Sequence, residues 1–307
     1  MRYHSQELFI GKQAQKALQR SKVTIVGIGA LGSVVAELLA RAGLNLTLID
    51  RDTVEETNLQ RQVLFSESDK GKPKTLAAKK KLEEINPKIT IKTEFIHLDY
   101  ENIRLVNGDV IVDCTDNLET RYLLNEYAVK KNIPLVHGSA IQDHGFVFNV
   151  IQQPCLRCIF KNAITTDTCE TVGVMNTITC IIGALQAQET IKILTKKNPE
   201  RDLLYVTLTT NSITKIKVKP EPSCSVCKGK YDYLEGKNKH IESYCGAFIF
   251  KEKINYNRLK KQLKQIGAKE VQNTLIFKKI TIFPHAVLIK TQSKKEAQTI
   301  YSKYIGN

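Results

Sequence analysis

Val23-Thr24-Ile25-Val26-Gly27-Ile28-Gly29-Ala30-Leu31-Gly32 is the stretch that decides the fold. Four β-branched residues make a compact buried strand, and Gly27, Gly29 and Gly32 break it. Apolar residues then recur at Leu31, Val34, Val35, Leu38 and Leu39, which predicts a helix through about Arg41. In the order strand, Gly-x-Gly-x-x-Gly, helix, the glycines permit a tight turn and let helix N-terminal N–H groups approach a phosphate. Residues 44–49 predict the next strand, which ends at Asp50, where a carboxylate can accept hydrogen bonds from ribose hydroxyls. Taken alone, this says only that a nucleotide binds. A nicotinamide-dependent oxidoreductase fits it too.

Outward from this stretch, strands and helices alternate. Residues 12–20 suit a short amphipathic helix, and residues 75–85 a Lys-rich helix stopped by Asn86-Pro87. Residues 89–95 alternate as a strand, 110–112 form a buried strand, 118–129 a helix, and Pro134-Leu135-Val136 starts another strand. The pattern predicts an α/β fold: a doubly wound, mainly parallel, Rossmann-like sheet. Residues 145–151, 203–208 and 213–218 predict added antiparallel strands, and residues 177–194 a long, largely buried helix with few charges. Beyond Cys227 the segment 246–304 reads strand, helix (256–266), strand (271–277), strand (286–290), helix (295–304). It predicts a small α+β domain over 240–307, set off by a polar linker from a main domain over 1–230.

The 307 residues are 42% hydrophobic and 25% charged, ordinary for a globular protein. No apolar run approaches the ~20 residues of a membrane helix, and the polar N-terminus lacks a secretory signal, so a cytoplasmic protein with no membrane partner is expected. Of the net charge of +15, most lies in the tail: 17 Lys+Arg against 6 Asp+Glu from residue 228 onward, against 29 and 25 before it. Such a tail suits an acidic protein or RNA, or is simply a solvated Lys-rich face. Eight cysteines are present, four of them paired as Cys155/Cys158 and Cys224/Cys227, with Cys114, Cys169, Cys180 and Cys245 single. Two Cys-x-x-Cys bites suit a closed tetrahedral structural Zn²⁺ site better than a disulfide framework.

The glycine motif is followed by Asn58-Leu59-Gln60-Arg61-Gln62, then Gly71-Lys72-Pro73-Lys74, then Asp113-Cys114-Thr115-Asp116-Asn117 closing the strand over 110–112. Two fixed cations, an amide and a carboxylate beside one nucleotide suit ATP with Mg²⁺. Hydride transfer has no need of them.

At these residues the chain resembles the MoeB/ThiF family, relatives of the ubiquitin-activating enzymes. Gly173-Val174-Met175, Gly183-Ala184-Leu185-Gln186-Ala187 and the two cysteine pairs match as well, in family order over about residues 1–230. The resemblance implies ATP-dependent adenylation of the C-terminal Gly-Gly carboxylate of a ubiquitin-like sulfur-carrier protein, in a molybdopterin, thiamine or tRNA thiolation type of pathway. It implies that Asp50 binds ribose, that Arg61 holds the β- and γ-phosphates with Asn58 nearby, that Lys74 serves the α-phosphate and that Asp116 holds Mg²⁺. Arg121 would brace the loop. A carboxylate is already ionised at pH 7, so no general base is needed. The Cys155/Cys158 and Cys224/Cys227 set would hold zinc.

Other positions read in two ways. Cys169 matches a cysteine that transfers sulfur in the ThiF branch and is dispensable in the MoeB branch; Asp167 and Glu170 beside it hold its pKa up rather than down. His137 stands where the family usually has a small residue and reads first as a structural histidine, while Asp113 caps or packs and Cys114 is a small core residue. The N-terminal Arg2-Tyr3-His4-Ser5-Gln6 places serine where members carry an arginine that reaches the partner subunit's ATP in a homodimer. Either Arg2 takes over, or the enzyme is slow, or another subunit helps. No rhodanese-like domain with a persulfide cysteine can be recognised in these residues, so a separate sulfur donor protein is expected. The alternative is a non-catalytic or partner-dependent scaffold that binds a ubiquitin-like protein.

Overall fold

The computed structural model describes residues 2–161, 172–237, 243–244, 247–251, 254–291 and 293–306. They fall into two units, Met1–Glu94 with Leu98–Lys237, and Phe95–His97 with Asn238–Asn307.

In the first unit α1 (His4–Ile10) and α2 (Lys12–Arg20) precede β1 (Lys22–Val26), α3 (Ala30–Ala42) and β2 (Asn45–Asp50). Then come α4 (Lys74–Ile85), β3 (Ile91–Phe95), β4 (Val110–Asp113), α5 (Leu118–Lys131), β5 (Leu135–Ile141) and β6 (His144–Val150). The short α6 (Leu156–Ile159), the long α7 (Asn176–Leu194), β7 (Leu203–Thr207) and β8 (Ser212–Ile216) complete it. The strand order is β3-β2-β1-β4-β5-β6-β7-β8. β1 pairs parallel with β2 and β4, and β4 with β5; the pairings from β5 through β8 are antiparallel. This is the Rossmann-like sheet with antiparallel additions that the alternation predicts. Chain order reverses beside β1, so the carboxyl ends of β1, β2 and β4 open onto one crevice at the topological switch point.

The core explains the strand register. Val23 and Ile25 on β1, Leu46 and Leu48 on β2, and Val110 and Val112 on β4 pack with Val35, Leu39 and Ala36 of α3. α7 lies across α3 and over β4, β5 and β6, and Ile178, Ile182 and Ala187 are its core contribution. The first helix of this unit was not expected. α1 buries no residue, and Leu8 and Phe9 on it are 75% and 88% exposed, so no apolar periodicity announces it. It is anchored just before its start by Tyr3, whose hydroxyl accepts a hydrogen bond from Asn86 at 2.9 Å.

The second unit is a six-stranded sheet, ordered β11-β12-β13-β14-β10-β9. Its strands are β9 (Ser243–Tyr244), β10 (Ala247–Phe250), β11 (Lys269–Val271), β12 (Thr274–Phe277), β13 (Ile280–Ile282) and β14 (Val287–Lys290). Helices α8 (Tyr256–Gln265) and α9 (Lys294–Tyr304) supply Leu259, Leu263 and Ala297 to a core shared with Leu275, Phe277, Val287 and Ile289. The single strand expected over 271–277 is instead a hairpin, because Gln272 and Asn273 both take positive φ (46° and 59°), the two-residue turn that matches strand twist. A second tight turn at Lys278-Lys279, with Lys278 at φ 51°, produces β13, which was not expected.

Candidate active site

Glycine geometry shapes the crevice. Gly27 follows β1 at φ +86°, and a Cβ there would stand 2.7 Å from the Cys114 carbonyl oxygen at the end of β4. A Cβ on Gly32 would stand 1.9 Å from the Gly27 carbonyl oxygen, so only glycine lets α3 spring directly from the turn. Gly29 is different. It caps α3, and the nearest atom to a Cβ would be Gln62 Nε2 at 3.8 Å, leaving open space in front of the helix N-terminus. Gln62 is buried, and its Oε1 has no hydrogen-bond partner.

Asp50 ends β2 and is buried at the crevice floor. Its Oδ2 accepts the Ile28 N–H of the glycine turn, and its Oδ1 accepts the Asp52 N–H at 2.7 Å. Burial pushes its carboxyl up, against the pull of Lys74. The chain then loops out and returns, bridging Thr53 to Pro73, so that the Lys74 N–H reaches the Asp52 carbonyl at 2.9 Å. Lys74 starts α4 with its side chain buried and its Nζ 3.4 Å from Asp52 Oδ2. Burial alone would lower the amine's pKa, but the charges of Asp52, Asp50 and Asp116 outweigh it and hold it raised. Lys74 is therefore a cation at any physiological pH. Asp52 is the residue that sequence reasoning missed here; only the return of the loop brings it to Lys74.

Asn58 and Arg61 lie on that loop. Asn58 Oδ1 accepts the Glu55 N–H at 3.2 Å in a capping box, and the Arg61 guanidinium donates to the Thr57 carbonyl at 2.9 Å. Their described contacts are local to the turn.

Across the crevice, Asp116 is exposed at the tip of the loop after β4, and Asn117 caps α5 by accepting the Thr120 N–H at 2.9 Å. Arg121 grips the Thr115 carbonyl with Nε and Nη2, at 3.1 and 2.7 Å, which is the bracing expected of it. Asp113 is fully buried and bonded to His137 Nδ1 at 2.7 Å. Burial would raise the Asp113 pKa, but the hydrogen bond and charge of His137 hold it below the usual range; burial lowers that of His137.

The four paired cysteines meet. Cys155 precedes α6, Cys158 lies within it, and Cys224 and Cys227 lie beyond β8. The Sγ atoms are 3.5 Å apart for Cys158–Cys227, 3.6 Å for Cys155–Cys227 and 3.7 Å for Cys155–Cys224, and all lie within 4.8 Å. This set can hold a metal ion. Burial, then the charge of Cys158, pushes Cys155 up to about 12, so the sulfurs ionise together only against a cation.

Residues 3–226 of the sequence match the ThiF family. The chain belongs to that family. It is 32% identical to the sulfur carrier protein ThiS adenylyltransferase of Bacillus subtilis, with 99% of each chain covered. It is 38% identical to the molybdopterin-synthase adenylyltransferase of Escherichia coli over 74% of this chain and 96% of that one. Among solved structures it resembles Escherichia coli MccB with MccA-N7isoASN, at a TM-score of 0.67 and 26% identity over 74% of this chain and 75% of that one. The chain is therefore a nucleotidyltransferase.

Two positions singled out in this ThiF-family sequence lie away from the crevice or outside view. Arg2 donates from Nη1 to the Ile85 carbonyl at 2.6 Å, at the C-terminal end of α4. Lys74 stands at the other end of that helix, about 16 Å away at 1.5 Å per residue. Arg2 thus does not serve its own chain's crevice. Cys169 lies outside the described residues. Among the described residues no helix is long and apolar enough to cross a membrane.

Glu126 of α5 marks the exit from the first unit. Its buried Oε2 accepts the N–H groups of Tyr233 and Leu234 at 2.9 and 3.0 Å. Burial raises its pKa from 4.5 to about 7. The folded state therefore keeps a proton that the unfolded chain has lost in that window, and stability falls as pH rises from 4.5 to about 7. Glu126→Gln keeps an acceptor without the charge. The variant is expected to gain thermal stability relative to the wild type between about pH 5 and about pH 8. Melting curves whose difference stays constant across those pH values would contradict this.

Proposed function

We propose that the chain uses ATP to adenylate the C-terminal glycine carboxylate of a ubiquitin-like sulfur-carrier protein. The observation that carries the reading is the buried Lys74 amine within the field of Asp50, Asp52 and Asp116 at the open ends of β2 and β4. The open space before Gly29 suits a polyphosphate nucleotide at the α3 N-terminus. In this reading Gly27, Gly29 and Gly32 bring backbone to the phosphates, Asp50 takes the ribose, and Asn58 and Arg61 hold the outer phosphates. Asp116 would hold Mg²⁺, which supplies charge neutralisation. The carrier carboxylate attacks the α-phosphorus: a carboxyl O–P bond forms, the bond to the pyrophosphate oxygen breaks, and pyrophosphate leaves. Lys74 stabilises the charge gathering on the α-phosphate.

The carrier proposed is of the thiamine type. Likeness to the Bacillus subtilis relative runs through the second unit, whereas likeness to the Escherichia coli molybdopterin relative covers 74% of the chain. A homodimer is part of the proposal, and exposed Leu8 and Phe9 on α1 offer it apolar surface. The test is ATP–pyrophosphate exchange with purified carriers of both types. Exchange that depends on a thiamine-type carrier supports the assignment, and exchange that ignores the carrier contradicts it.

The four thiols suit Zn²⁺, closed and structural, tying the chain beyond β8 to α6. One zinc per chain is expected on elemental analysis. Cys224→Ser should lower the melting temperature by about 5–10 °C, with nucleotide affinity holding until the fold loosens. Zinc-free protein of undiminished stability would overturn this.

A further inference from the structure

We propose that His137 is a positioning residue for the loop that carries Asp116; the metal role of Asp116 rests on the function proposed above. Asp113 and His137 stand opposite each other at the carboxyl ends of the parallel strands β4 and β5. The imidazole is 1% exposed and the carboxylate 0%, so neither group meets solvent or substrate. One oxygen of Asp113 takes the His137 Nδ1–H at 2.7 Å. The other takes both the N–H and the hydroxyl of Thr115, at 2.9 and 2.7 Å. Arg121 holds the Thr115 carbonyl from the other side. Gln186 of α7 binds the Asp113 carbonyl at 2.8 Å, which fixes the strand end and leaves the carboxylate to His137 and Thr115. Phe146, its ring centroid 5.4 Å from that of His137, helps set the imidazole plane.

Asp116 is therefore exposed while its neighbours on both sides are held, Thr115 by this buried chain and Asn117 as the cap of α5. A buried carboxylate that loses a donor is costly and turns or takes up a proton. Either change releases Thr115, and Asp116 loses its place. A displacement of ~1 Å at such a site costs ~10²-fold in function.

The measurement is calorimetric binding of a non-hydrolysable ATP analogue to the full chain over a Mg²⁺ titration. His137→Ala is expected to raise the Mg²⁺ concentration for half-maximal binding by ~10-fold or more, with metal-free binding unchanged. His137→Asn, whose amide N–H stands where Nδ1 stood, is expected to return it to within ~3-fold of wild type. Should His137→Ala fail to fold, Thr115→Val removes a donor at the far side of the same carboxylate and carries the same expected shift. Wild-type Mg²⁺ dependence in His137→Ala, or in Thr115→Val if that variant stands in for it, overturns the proposal. So does an equal shift in His137→Ala and His137→Asn. Wild-type binding indifferent to Mg²⁺ overturns it together with the metal role of Asp116. Mg²⁺-dependent binding without carrier-dependent exchange sinks only the carrier assignment.

Discussion

Lys74→Ala is expected to slow ATP–pyrophosphate exchange by ~10²–10³-fold at saturating ATP. The amine is buried, and its pKa is held up by Asp52, Asp50 and Asp116, so it enters the reaction as a fixed cation. A fixed cation already oriented needs no reorganisation when negative charge gathers on the α-phosphate, and in a dry crevice it acts more strongly than in water. Because that charge peaks in the transition state, the loss belongs mainly in kcat, with KM for ATP changing less. The variant also leaves Asp50 and Asp52 without their shared counter-charge, so a lower melting temperature accompanies the loss. Exchange within tenfold of wild type would show that Lys74 is a structural partner of Asp52 and nothing more.

The largest effect on stability is expected from Gly32→Ala. Its Cβ would lie 1.9 Å from the Gly27 carbonyl oxygen, and Gly27 itself sits against the backbone of Cys114. Neither wall is a side chain that can swing away, so α3 would have to lift off β1 and β4. A shift that opens the core of the first unit costs about 3 kcal/mol or more, enough to leave little folded protein. Gly29→Ala is the control, since its Cβ finds nothing nearer than 3.8 Å. That variant should melt within a few degrees of wild type while its methyl group stands where phosphate oxygens are proposed to lie, weakening ATP binding at least ~10-fold. Equal stability of the two variants would contradict the packing described for the turn.

These glycines, Asp50 and the cysteine pairs were legible in sequence because local rules govern them: a turn that forbids a Cβ, a strand end, a two-residue bite. Asp52 was not. Its placement beside Lys74 depends on a loop that leaves β2 and returns at Pro73, which no periodicity encodes. His137 and Asp113 are 24 residues apart, and only the parallel register of β4 and β5 makes them partners. In the second unit the turns at Gln272-Asn273 and Lys278-Lys279 contain no glycine, so the hairpins they make were hidden inside apolar runs. α1 was hidden for the opposite reason: it buries nothing and carries no pattern.

The most direct test of adenylation is intact-mass analysis of a thiamine-type carrier after one turnover with ATP, Mg²⁺ and this enzyme. The expected result is a carrier gaining the mass of one adenylyl group at its terminal glycine. That product should be absent when the terminal glycine is deleted and absent with Asp116→Ala, the variant proposed to lose the metal. Adduct formed equally well by Asp116→Ala, or no adduct from wild type while ATP is bound, would contradict the adenylation reading.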